Sequence, residues 1–168
     1  GSYYAEVLVG RGLAADCLFG PAYKGIPLVA ATSIAMANLH QIDIPYVFNR
    51  KEAKGHGEGG TLVGARLEGK VVIVDDVITA GTAIREVMSF FEDNQKATAS
   101  AVIVAIDRQE RGKGDLSAIQ EVERDYGLSV LSVVTLDDIV QYLKEKGGYQ
   151  EELIAIGSYH ARYGIASS

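Results

Sequence analysis

A single cysteine, Cys17, in 168 residues leaves no partner for an internal disulfide and too few thiols for a cysteine-rich zinc site. It stands in the apolar stretch Cys17-Leu18-Phe19, the setting of a buried thiol. Long apolar runs are missing too: none approaches the ~20 residues that a membrane-spanning helix needs, and no charged-then-apolar leader opens the sequence. Nor is there an excess of basic residues. Lys and Arg total 16 against 22 Asp and Glu, a formal net charge of −6, so no global field draws the chain to nucleic acid or to an anionic membrane. An anionic ligand has to be held by a local cluster of cations. The nine tyrosines are scattered rather than arranged as a base-stacking platform, so no nucleic-acid site is assigned. His40 and His160 lack metal-ligand partners at useful spacing. No Pro/Ser-rich linker, internal repeat or low-complexity tract divides the chain. The expectation is a single domain over residues 1–168, soluble and cytoplasmic. Gly1-Ser2 reads as the scar of a cleaved tag, because Tyr3-Tyr4-Ala5-Glu6-Val7-Leu8 already has the pattern of the middle of an amphipathic helix. The natural chain is therefore expected to start earlier.

What the sequence does have is alternation. Short apolar runs exchange with longer stretches of helical periodicity, separated by glycine-rich punctuation, which predicts an α/β fold with a parallel sheet flanked by helices. Strands are expected at residues 17–19, 46–48, 71–74, 101–106 and 130–134, and helices at 26–40, 82–94, 116–126, 136–146 and 150–163. Residues 61–65 can return as a short strand against 46–48. That hairpin would carry a long tip, Asn49-Arg50-Lys51-Glu52-Ala53-Lys54-Gly55-His56-Gly57-Glu58-Gly59-Gly60, with almost nothing apolar to bury. Loops of such length in compact domains are functional lids or disordered segments.

The most informative segment is Val71-Val72-Ile73-Val74-Asp75-Asp76-Val77-Ile78-Thr79-Ala80-Gly81-Thr82-Ala83. A buried strand runs into two adjacent carboxylates and then into a turn of small residues that opens a helix. In an open parallel sheet, ligands bind outside the carboxyl ends of the strands, where this turn must lie. Backbone N–H groups of the turn from Thr79 to Ala83 can wrap an anion at the positive end of the helix, with hydroxyls from Thr79 and Thr82. Two carboxylates would repel a phosphate but suit adjacent sugar hydroxyls, as an acidic residue does in dinucleotide folds.

This string resembles the PRPP signature of the type I phosphoribosyltransferases. The resemblance implies that Asp75 and Asp76 face the ribose hydroxyls, with Asp76 also catalytic. It implies further that Val77, Ile78, Thr79, Ala80, Gly81, Thr82 and Ala83 bind the 5′-phosphate. The basic tip, with Arg50, Lys51, Lys54 and His56 close together in sequence, is similar to the catalytic loop of the orotate phosphoribosyltransferases. In that family the loop reaches the partner's active site in a homodimer. The likeness would make those four residues pyrophosphate ligands, with Lys54 the catalytic residue. Gly55 stands where the family's pattern is often acidic. A second cradle, Gly20-Pro21-Ala22-Tyr23-Lys24-Gly25, turns from a strand into a helix. Lys24 at a helix N-terminus is unfavourable unless an anion lies beside it. The segment resembles the family's pyrophosphate loop, with Tyr23 and Lys24 as ligands. Asp107-Arg108-Gln109-Glu110-Arg111 matches the family's orotate-binding context, which implies that Arg108, with Thr79, contacts the base, while Arg111 is read as a surface residue.

The implied reaction transfers ribose 5-phosphate from PRPP to orotate, giving orotidine 5′-monophosphate and pyrophosphate in UMP biosynthesis. The implied cofactor is Mg²⁺, held mainly by PRPP and water rather than by protein ligands. The family also carries an N-terminal hood, with a lysine and an aromatic pair on orotate. No residue here matches it, so orotate recognition is expected to be incomplete in the chain as written. Two other readings stay open: a phosphoribosyltransferase for a different base, and a non-catalytic PRPP-sensing module.

Overall fold

The computed structural model describes residues 1–51, 61–79, 82–92 and 94–165. Its core is a six-stranded sheet of order β3-β2-β1-β4-β5-β6. The strands are β1 (Cys17–Gly20), β2 (Tyr46–Asn49), β3 (Leu62–Gly64), β4 (Gly69–Asp75), β5 (Ala97–Asp107) and β6 (Ser129–Thr135). All neighbours pair in parallel except β2 and β3, the antiparallel hairpin expected from the sequence. The helices are α1 (Ser2–Gly10), α2 (Gly25–His40), α3 (Thr82–Glu92), α4 (Ala118–Tyr126), α5 (Leu136–Lys146) and α6 (Gln150–Tyr163).

The apolar run of β4 works as a two-faced strand. Val71 and Ile73 enter one core with Phe19, Val47, Ile84 and Val87, while Val72 and Val74 enter the other with Leu18, Val29, Tyr4 and Leu8. Successive side chains of a strand point to opposite faces. A run of apolar residues is therefore what a strand covered on both sides requires. Helices α1 and α2 cover the second face, and α3 and α4 the first.

Some boundaries move from those expected. Strands β4 and β5 begin before their apolar runs, at Gly69 and Ala97, because the pairing Gly69↔Ala97 and Lys70↔Thr98 needs only main-chain groups and tolerates polar side chains. Helix α4 begins at Ala118 because Ser117 caps it: Ser117 Oγ accepts from Gln120 N–H at 3.0 Å, and Gln120 Oε1 from Ser117 N–H at 2.8 Å. This is a capping box, which fixes the start of a helix. Among the described residues, no helix is long and apolar enough to cross a membrane.

The strand order places the functional region. From β1 the chain crosses by α2 to β2 on one side, and from β4 by α3 to β5 on the other. The direction reverses between β1 and β4, which pair Cys17↔Val71 through Phe19↔Ile73. Loops leaving such a pair diverge and open a crevice at the carboxyl ends of the strands.

Candidate functional site

The first wall of the crevice is the turn between β1 and α2. It is tight because two glycines let main chains touch. A Cβ on Gly20 would lie 2.5 Å from the carbonyl oxygen of Gly25, and one on Gly25 would lie 2.9 Å from that of Val74. No side chain fits either gap, so the helix N-terminus sits directly against β1 and β4. The N–H of Ala22 donates to Asn49 Oδ1 at 2.8 Å, which ties the turn to the end of β2 through a buried side chain. The Ala22–Tyr23 peptide is cis. Tyr23 is exposed, with the Lys51 ammonium 5.5 Å from its ring centroid.

Lys24 reaches across the crevice. Its Nζ lies 2.6 Å from Asp76 Oδ2, and the hydrogen bond to that carboxylate raises the Lys24 pKa above the ordinary lysine range. The anion that its place at a helix N-terminus demands is thus supplied, in this structure, by the diacid pair itself.

At the end of β4, Asp75 is buried and Asp76 half-buried. Asp75 Oδ1 accepts the N–H of Asp76 at 2.9 Å. The backbone there is fixed from two sides: the hydroxyl of Tyr4 donates to the Asp75 carbonyl at 2.8 Å, and the N–H of Ala105 donates to the Asp76 carbonyl at 2.9 Å. Burial, with the neighbouring carboxylates of Asp75 and Asp76, pushes the Tyr4 phenol well above its usual pKa, so it remains a donor. Beyond the acids, Ile78 is buried as an anchor while Thr79 is exposed toward solvent.

Burial also pushes the Asp75 carboxyl up to about 6, against a partial offset from the Asp76 N–H. A carboxyl whose folded pKa exceeds its unfolded value favours the native state fully below the unfolded pKa, and that contribution is lost as pH rises through the folded one. Wild-type stability should therefore fall relative to Asp75→Asn between about pH 4 and about pH 6, by up to roughly 3 kcal/mol. Urea unfolding of both proteins across that range checks it; parallel pH curves would show that Asp75 titrates normally.

The third element is the loop after β5. Arg108 Nη2 donates to Glu110 Oε2 at 3.0 Å, and its Nε lies 3.0 Å from Glu110 Oε1. The hydroxyl of Tyr159 also donates to Glu110 Oε1. Gln109 adopts a left-handed backbone with φ 54°, and its N–H donates to Asp107 Oδ1 at 2.8 Å. The N–H groups of Ala105 and Ile106, just before Arg108, donate to the Asp76 carbonyl at 2.9 and 3.4 Å, which brings this loop alongside the diacid, and the charge of Arg108 only slightly offsets the rise in the Lys24 pKa. Arg111 is exposed, the surface residue expected from the sequence, while its backbone N–H donates to the Tyr163 carbonyl at 2.8 Å.

The basic hairpin contributes its stalk. The N–H of Arg50 donates to the Thr61 carbonyl at 2.7 Å, extending the β2–β3 ladder by one link. Arg50 and Lys51, with Glu86 and Phe90 of α3, line a cleft of about 400 Å³. Lys54, His56, Ala80 and Gly81, and the side chain of Thr82, lie outside the described residues. The structure thus gathers Lys24, Asp75 and Asp76 at one switch point, puts Arg108 on the adjoining loop after β5, pairs Tyr23 with Lys51, and leaves Arg50 on the flanking cleft. Tyr4, Asn49, Glu110 and Tyr159 were not singled out by the sequence, because their partners are remote along the chain.

Comparison with known proteins agrees with this geometry. The sequence profile of the phosphoribosyl transferase domain matches residues 9–133. The chain is 60% identical, over 165 residues, to the orotate phosphoribosyltransferase of Alteromonas mediterranea, covering 98% of this chain and 77% of that protein. It is 59% identical to that of Vibrio cholerae with the same coverage. Among solved structures, the orotate phosphoribosyltransferase of Francisella tularensis superposes with a TM-score of 0.82 at 40% identity, over 96% of this chain and 77% of that one. The fold also matches a Mycobacterium tuberculosis orotate phosphoribosyltransferase solved with PRPP, with a TM-score of 0.62 at 20% identity over 82% of this chain and 74% of that one.

Proposed function

Because this chain belongs to the phosphoribosyl transferase domain family, among the orotate phosphoribosyltransferases, we propose that it transfers ribose 5-phosphate from PRPP to N1 of orotate. The products are orotidine 5′-monophosphate and pyrophosphate, a step of pyrimidine biosynthesis. The observation that carries this reading is the crevice between β1 and β4, where Lys24 meets the Asp75-Asp76 diacid at the carboxyl ends of the strands.

The carboxylates of Asp75 and Asp76 accept hydrogen bonds from the ribose hydroxyls, and the turn that continues through Thr79 into α3 holds the 5′-phosphate. On binding, Lys24 exchanges its contact with Asp76 for the pyrophosphate, joined by Tyr23, Arg50 and Lys51, and by Lys54 and His56. As the C1–O bond breaks, positive charge grows on the ribose and negative charge on the leaving group. The protein's contribution is electrostatic stabilisation and alignment of the two reactants. Lys54 delivers a proton to the departing pyrophosphate. Arg108 and Thr79 orient the anionic base.

The donors present fit a Mg²⁺ ion carried by its substrate. Asp75 and Asp76, side by side at the end of β4, can support the metal's waters. When bound, the ion neutralises pyrophosphate charge. The protein works in the cytoplasm as a homodimer, a single domain whose Arg50–Gly60 loop crosses to the partner's site.

Mixing the protein with PRPP, Mg²⁺ and orotate should consume the absorbance of orotate and release pyrophosphate in equal amount. Turnover of adenine, guanine or uracil in its place would redirect the assignment to another base. PRPP binding without turnover of any base would leave a sensor.

A further inference from the structure

Arg108 follows directly on Asp107, the last residue of β5, and its side chain is about one-third exposed (35%). An arginine in that position has many rotamers, and immobilising such a side chain opposes ligand capture. Here it is held in advance. Glu110 accepts one hydrogen bond from Nη2 and holds Nε at ion-pair distance, without a hydrogen bond to it, so this edge of the guanidinium faces Glu110 and a planar anion is met by the rest of the group. Glu110 is itself confined, with a side chain only 14% exposed and the Tyr159 hydroxyl bonded to its Oε1.

Tyr159 belongs to α6, an unusual helix: 14 residues with none of them buried. It is fastened instead to the loop that carries Arg108. Glu110 forms an antiparallel bridge with Gly164, Arg111 N–H donates to the Tyr163 carbonyl at 2.8 Å, and Ile165 N–H donates to the Gln109 carbonyl at 3.2 Å. The Arg111 guanidinium adds a bond to the Gly164 carbonyl at 3.3 Å.

We infer that Glu110 and Tyr159 are positioning residues for Arg108, so that the last helix sets the enzyme's grip on the anionic base without touching it. This rests on Arg108 being the cation that meets orotate. The opposite arrangement, with Glu110 a competing carboxylate that must be displaced, predicts the opposite sign.

Steady-state kinetics on the full chain separate these. For Glu110→Ala, the KM for orotate should rise about five- to tenfold, with kcat and the KM for PRPP within about twofold, the pattern of lost binding of one substrate. Tyr159→Phe should raise it about two- to threefold. The double variant should match Glu110→Ala alone, because Tyr159 acts through Glu110. An orotate KM that is unchanged or lower in a folded Glu110→Ala protein overturns the inference. If that variant fails to fold, an unchanged KM in Tyr159→Phe does so. Arg108→Ala is the control. No change in its orotate KM takes down the assignment of Arg108 and this inference with it. A raised KM there, beside a normal one in Glu110→Ala, overturns the positioning alone.

Discussion

Replacing Lys54 with alanine is expected to lower kcat by roughly 10²–10⁴-fold, the range typical of a lost general acid in the transition state. Pyrophosphate departs carrying several negative charges into a protein of net charge −6, so cations placed at the leaving group act where charge develops rather than where substrate merely rests. A group of that kind should affect kcat more than the KM for PRPP. Lys54→Arg keeps the charge but not the compact, titratable ammonium, and should recover only part of the loss. Single-turnover rates at saturating PRPP and orotate provide the measurement. A rate for Lys54→Ala within about twofold of wild type would remove the role, and would transfer the burden to Lys24, whose ammonium already lies in the crevice.

The second large effect is on PRPP binding. Asp75→Asn combined with Asp76→Asn should weaken affinity by roughly 10²–10⁴-fold, since each carboxylate-to-hydroxyl hydrogen bond contributes roughly 1.5–3 kcal/mol and tenfold in affinity corresponds to 1.4 kcal/mol. Calorimetric titration of PRPP with Mg²⁺ reads this directly; an unchanged dissociation constant would discard the ribose assignment. Stability should move the other way for Asp75→Asn, because a carboxyl held at about 6 by burial is a burden on the folded state at neutral pH. A substitution that firms the fold while emptying it of ligand is the mark of a site held against its own preference.

The sequence reveals most where chemistry is local. Val71 to Val74 announce a strand buried on both faces, and the diacid and turn that follow announce a ligand. Lys24, out of place at a helix start, announces an anion. The β2–β3 hairpin is legible because its two short apolar runs flank a tip that cannot bury itself. Other features depend on pairs that only folding brings together. Tyr4 meets the Asp75 carbonyl 71 positions away, Ala22 meets Asn49 across 27, and Glu110 meets Tyr159 across 49. No periodicity or spacing encodes such contacts, since each is set by which elements the fold brings alongside one another. Arg111 shows the same limit. Its exposure is legible from the polar loop, but its bonds to the Tyr163 and Gly164 carbonyls depend on the chain end that follows α6.

The hydrogen bond between Arg50 and Thr61 has a consequence for how this protein can diversify. It clamps the two ends of the intervening segment together at the edge of the sheet, with the Arg50 N–H on the Thr61 carbonyl at 2.7 Å. Doubling the length of such a closed stretch raises its closure entropy by only about 0.6 kcal/mol, a small matter beside the buried core. Segments of different length and charge can therefore be grafted between those two residues as cassettes, which separates the tuning of leaving-group chemistry from the upkeep of the scaffold.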